Sequence, residues 1–169
     1  MRFSLKRIIE NDSMVKFITS LLALFATLLV ATSLQAAPTL TITSGDEKLV
    51  LDRSELETFP QTQIVTTSPY FEGSAEFTGP SLSRVLETFD LSGDIRIVLR
   101  ALNDYRVDGN LRELLAMDPI VATRMDSQPM SVRDRGPFWL MLPLSDRPEL
   151  DEQEFHRFMI WQLEAIILD

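Results

Sequence analysis

The chain has 169 residues, no cysteine, a single histidine and a formal net charge of −9. This length suits one domain, and the surplus of acid opposes nucleic acid and anionic lipid, which attract the opposite sign. Without cysteine there is no thiol catalysis, Fe–S cluster or thiolate-ligated zinc, and His156 is the one possible base for a Ser–His–Asp arrangement.

Residues 17–31, FITSLLALFATLLVA, form an apolar run preceded by Lys16 and followed by TSLQAAP. A positive n-region, an apolar stretch of this length and small residues at its exit predict a secretory signal peptide over 1–36, cut after Ala36. The run falls short of the roughly 20 apolar residues that a membrane span needs; an uncleaved N-terminal anchor is the other reading. Glu10 and Asp12 are unusual in an n-region, which makes Met14 an alternative start. An ordinary signal of this kind implies export, to the periplasm where the source has an outer membrane. Residues 37–169 then carry 12 basic and 23 acidic residues, a net of −11, because four basic and two acidic residues lie in 1–36. They are rich in Leu, Ile, Val and Phe, so a core can form without disulfides. No repeat or linker divides them, and they read as one domain.

TLTIT (39–43) alternates and predicts a strand, Gly45 turns the chain, and KLVL (48–51) predicts a second strand. Asp52 and Glu55 have capping-box spacing at the head of DRSELETF, a short helix that Pro60 stops. TQIVTT (62–67) and SAEFT (74–78) predict strands around a loop that begins at Ser68 and holds Tyr70, Phe71 and Glu72. In GPSLSRVLETFD, Pro80 suits a first helical position, and Leu82, Val85, Leu86 and Phe89 recur at i, i+3, i+4 and i+7. IRIVLRA (95–101) predicts a strand with Ile95, Ile97 and Leu99 on one face and Arg96, Val98 and Arg100 on the other. NDYRVDG (103–109) turns and extends again, and Asn110 caps LRELLAM, which Asp118-Pro119 ends.

IVATRMD (120–126) and FWLMLP (138–143) predict further strands. The tail is open between two readings. Phe155, Phe158, Met159, Gln162, Leu163 and Ile166 fit a helical face, whereas AIIL (165–168) suits a strand. Strands interleaved with short helices and tight turns predict an α+β fold on a mixed sheet. Its expected core includes Leu82, Val85, Leu86 and Phe89, with Ile97, Leu99, Leu114, Trp139, Met141, Trp161 and Leu163.

Eleven of the 12 basic residues in 37–169 are arginine, whose planar fork suits carboxylate and phosphate. Arg124, Arg133 and Arg135 lie close in sequence. Arg133 and Arg135 would face the same way if SVRDRGP were extended, either as an anion clamp or as a salt-bridged turn. In ALNDYRV, Asn103 and Asp104 favour turn geometry, while Tyr105 offers a hydroxyl on an apolar body. The acidic stretch before His156 (Asp146, Glu149, Asp151, Glu152, Glu154) lacks the ordered spacing and glycine of a calcium loop. It reads as a solvated face, and His156 as a surface or packing residue.

In order over residues 60–168, FTGPSLSRVLE, ALNDYRV and RGPFWLMLP followed by RFMIWQLEAIIL resemble the sulfite-oxidase-type molybdopterin-binding oxidoreductase domain family. They are similar to its G-x-x-L helix entry, its Ser-Asp-Gly-Tyr-type turn and its closing apolar pair. The resemblance implies that family's α+β domain. In its catalytic members a loop before the G-x-x-L helix supplies the cysteine that ligates molybdenum, and Ser68 stands in that place here. A soft thiolate is the ligand this chemistry favours, although serine alkoxide ligates molybdenum in an unrelated family. The N-terminal stretch also lacks the Arg-Arg pair of signals that export folded, cofactor-loaded enzymes.

Two readings stand on this resemblance. In the first, the chain is an exported, cofactor-free binding module without metal. Its old pocket takes a small anionic ligand, or an acidic segment of a membrane sensor or redox partner. In the second, it is a molybdopterin-dependent oxidoreductase with non-cysteine ligation of the metal. Either way, Ser68, Asn103, Asp104, Tyr105, Arg124, Arg133, Arg135 and Arg157 are expected to converge near the family's cofactor site.

Overall fold

The computed structural model describes residues 37–169; the apolar run at 17–31, the cleavage point after Ala36 and the choice of start lie outside the described residues. Strands from opposite ends of the described region lie side by side. β1 (Thr39–Ser44) runs parallel to β11 (Leu163–Leu168), with Thr41 opposite Ala165. β2 (Glu47–Asp52) folds back on β1 through Gly45, whose φ of 55° is a left-handed conformation that glycine adopts without strain. Beyond β11 come β5 (Arg96–Ala101) and β6 (Arg106–Asn110), both antiparallel, giving the order β2-β1-β11-β5-β6.

The central position of β11 resolves the tail. Leu163, Ala165, Ile166 and Leu168 are buried, as suits a strand with neighbours on both sides and cover on both faces. Of the alternative helical face, only α4 (Gln153–His156) is helical. The chain must be extended by Leu163 to bond Phe138 and to pair with Ala101.

β3 (Gln61–Ser68) and β4 (Phe71–Pro80) form a long hairpin, and β8 (Arg124–Met125) and β9 (Gln128–Pro129) complete a four-stranded sheet in the order β3-β4-β8-β9. The loop expected from Ser68 is therefore only a two-residue turn, Pro69-Tyr70, and the second strand starts at Phe71 rather than Ser74. The extra residues sit in β4 as a register shift, where Gly73 takes a φ of 75°. IVATRMD is not one strand. It divides at buried Thr123 into β7 (Ile120–Ala122), which pairs with β10 (Trp139–Met141), and β8, which pairs with β4.

The short helices begin where their caps predict. Before α1 (Arg53–Leu56), Asp52 Oδ1 accepts from Glu55 N at 2.9 Å and Glu55 Oε2 accepts from Asp52 N at 2.7 Å. Before α3 (Leu111–Leu115), Asn110 Oδ1 accepts from Glu113 N at 3.1 Å. α2 (Leu82–Leu86) departs from the expected pattern. Its cap is Ser81, and Pro80 ends β4 instead of opening the helix. The Ser81–Ile120 bridge and the Leu82 N–Pro119 O bond keep that stretch in sheet geometry.

All of the expected core residues are buried except Trp161, which is partly buried and packs against the core. Val98, assigned to the outer face of its strand, is buried as well. The fold is α+β, dominated by mixed sheet. Among the described residues no helix is long and apolar enough to cross a membrane.

Candidate functional site

Three segments meet beside the end of β5: the β3–β4 turn, the β5–β6 turn and residues 157–161. At the first, Tyr70 donates its hydroxyl to His156 O at 3.0 Å and meets the Trp161 ring edge-on, with centroids 4.9 Å apart. Burial, then the nearby Tyr105, pushes the Tyr70 phenol above its ordinary value. At the second, Asp104 adopts a φ of 64° and Tyr105 N donates to Asn103 Oδ1 at 3.2 Å. This is the side-chain turn that Asn-Asp favours.

At the third, the Arg157 guanidinium lies over the Phe158 ring, 4.4 Å from its centroid. Its Nε donates to Glu154 O at 3.0 Å and its Nη1 to Asp108 O at 3.1 Å. Phe158 has room there because residue 109 is glycine; a β-carbon would stand 2.7 Å from the ring. Between the segments opens a cleft of about 310 Å³, lined by Tyr70, Asn103, Tyr105, Arg157 and Trp161, with Ala101, Met159 and Ile160 completing it.

Three of the eight expected site residues thus line one cleft: Asn103, Tyr105 and Arg157. Arg135 does not line it, but donates from Nη2 to the carbonyl of the lining residue Tyr70 at 2.7 Å and covers Trp139 at 5.4 Å. Ser68 is buried beneath the turn, its Oγ accepting from Tyr70 N at 3.2 Å. Asp104 is exposed at the tip of its turn and does not line the cleft. Arg133 is exposed on a 3₁₀ turn, Val132–Asp134, that Ser131 caps. SVRDRGP is therefore not extended. With Arg135 at a φ of 65°, the extended geometry that would turn the two arginines the same way is absent.

Arg124 is a structural ion-pair partner. Its Nε and Nη2 grip the two oxygens of Glu57 at 2.8 and 3.0 Å. The Arg124 hydrogen bond, aided by its charge and opposed by burial, holds the Glu57 carboxyl below its usual value. A lowered folded pKa stabilises the protein fully above the carboxylate's unfolded value, and that contribution is lost as pH falls through the lowered one. Glu57→Gln should accordingly flatten the acid side of a Tm–pH profile below about pH 4.5. An unchanged acid limb would mean that the pair adds nothing; the partial exposure of both side chains keeps the expected effect modest.

The residues around Ser68 do not fit a thiolate-ligated molybdenum centre. There is no thiol, the Ser68 hydroxyl is committed inside its own hairpin, and among the described residues no group of three His, Asp or Glu could hold a metal ion. The cleft is also at the small end of the roughly 300–1,000 Å³ typical of ligand pockets, whereas this cofactor is a large pterin.

No family model matches the sequence, and no curated protein matches it. Among solved structures, the sulfane dehydrogenase SoxCD from Paracoccus pantotrophus aligns with a TM-score of 0.59 at 15% identity. The fold is shared. The alignment covers 78% of this chain and 38% of that one, a distant fold relation to part of that enzyme. At such identity the likeness establishes fold alone.

Sequence reasoning missed Met159 and Ile160 as lining residues and assigned Trp161 to the core. Tyr70 was visible only as an aromatic residue in a turn. A large aromatic residue at a turn is a signal that a surface is nearby, but its partner Trp161 lies too far along the chain for spacing to reveal.

Proposed function

We propose that this chain is an exported, cofactor-free relative of the sulfite-oxidase-type domains that binds a small anion in the cleft beside Arg157. The observation that carries this reading is how Arg157 is held. Arg84, Arg96, Arg100, Arg124 and Arg147 each have a carboxylate within ion-pair distance. Arg157, like Arg53, Arg106, Arg112, Arg133 and Arg135, has none among the described residues, but it is the arginine that lines the cleft, fixed by two neutral carbonyls and an aromatic face. A guanidinium carries five N–H donors, so several remain for a ligand. In a region of net charge −11, a fixed cation without a counter-charge attracts an anion, at roughly 1.5–3 kcal/mol per charge-assisted hydrogen bond. An acidic segment of a membrane sensor or redox partner would present the same carboxylate chemistry.

Thermal melts of the purified protein in formate, acetate, phosphate and sulfate test this. At least one anion should raise Tm in a concentration-dependent manner. Arg157→Gln should abolish the rise, whereas Arg133→Ala should leave it intact. Arg135→Ala should lower Tm without any ligand, because it removes the contacts to Tyr70 and Trp139. If no anion shifts Tm, the binding reading fails. Elemental analysis addresses the alternative: we expect no molybdenum, and a stoichiometric signal lost in Ser68→Ala would establish the oxidoreductase.

A further inference from the structure

We infer that the ligand of this cleft is a planar aromatic carboxylate, a conclusion that rests on the anion-binding reading above. The lining of the cleft is of two chemical kinds. One is aromatic and soft apolar: the Tyr70 and Trp161 rings, set at 73° to each other, and the Met159 thioether. Tyr105 stands in the lining with 54% of its surface exposed, although it is a large apolar body. Rings set edge-to-face, together with a thioether, complement the face and edge of another ring.

The other kind is polar and offers donors. Arg157 keeps N–H groups on its Nη1–Nη2 edge after its two carbonyl bonds. The Asn103 amide oxygen is engaged by Tyr105 N, which leaves the amide NH₂ to donate. The Trp161 indole N–H has no partner among the described residues.

What the lining omits is equally selective. No aspartate or glutamate lines the cleft, although 23 acids populate residues 37–169. Cations therefore find no counter-charge, and sugars find few acceptors for their hydroxyls. One guanidinium edge matches the two oxygens of a carboxylate, in the parallel geometry that arginine favours. A phosphate dianion would meet one cation where its charge calls for more. A cleft of about 310 Å³ accommodates a single ring with its acid group better than a nucleotide, being at the low end of the roughly 300–1,000 Å³ range for ligand sites.

The test is calorimetric titration of the purified protein with benzoate, cyclohexanecarboxylate and benzamide. Cyclohexanecarboxylate keeps the charge and size but loses planarity; benzamide keeps the ring but loses the charge. Benzoate should bind about fivefold more tightly than cyclohexanecarboxylate and about tenfold or more tighter than benzamide. It should also change tryptophan fluorescence, and that change should vanish in Trp161→Phe, since the other tryptophan, Trp139, is fully buried. Equal affinity for the two carboxylates overturns the aromatic assignment and leaves anion binding standing. Benzamide binding as tightly as benzoate, or inorganic anions binding where carboxylates do not, overturns the carboxylate. No response to any anion defeats the underlying reading itself. A fluorescence change that survives in Trp161→Phe places the ligand elsewhere. Should that variant not fold, the three titrations of the unaltered protein still decide the matter.

Discussion

Replacing Trp139 by alanine should cost about 3–5 kcal/mol, the range for truncating a fully buried aromatic side chain. Trp139 is 0% exposed. Its ring sits among Phe77 at 5.5 Å, Phe71 at 6.1 Å and Trp161 at 6.2 Å, all close to edge-on to it. Its Nε1 donates to Met159 O at 3.0 Å, and its backbone bridges Trp161. Met159 and Trp161 both line the cleft, so this one side chain links core packing to the shape of the site. Trp139→Phe separates the two contributions. It keeps a ring but leaves the Met159 carbonyl unpaired, at a cost of about 1–3 kcal/mol. Urea denaturation of both variants measures the difference. If Phe costs as much as Ala, the hydrogen bond rather than the packing carries the stability.

Gly79→Ala should be nearly as damaging although it adds a single methyl group. A β-carbon at that position would stand 2.0 Å from Val121 O and 2.8 Å from Ala122 Cα. Those neighbours are backbone and cannot rotate away, so β4 and β7 must part. Thr123 N bonds Thr78 O at 2.9 Å just beside the contact and would move with them. Overpacking ordinarily costs about 1–3 kcal/mol; a clash with fixed backbone belongs at or above the top of that range. The urea midpoint should fall accordingly. A loss below about 0.5 kcal/mol, the size of an ordinary surface change, would show that the two strands are not so closely apposed.

Much of the local structure was legible in the residues alone. The Asp52–Glu55 box, the Asn110 cap and the turn at Asn103-Asp104 depend on groups two or three positions apart, and all are present. The α+β class followed from the same short-range pattern of strands, caps and turns. The pattern failed wherever a partner across the sheet set an element's length. The apolar spacing from Leu82 to Phe89 suggested a helix entered at Pro80, yet the bridge from Ser81 to Ile120 holds that entry in the sheet.

IVATRMD likewise has nothing local to mark a break, and it divides because β10 claims one half and β4 the other. The arginines make the same point for the site. Arg124 finds the Glu57 carboxylate across 67 positions, while Arg157 finds neutral carbonyls, that of Glu154 nearby and that of Asp108 across 49. Composition counts charges without saying which of them meet. Which arginine meets a carboxylate and which does not depends on sheet order, because the cleft joins three segments that are far apart in the sequence.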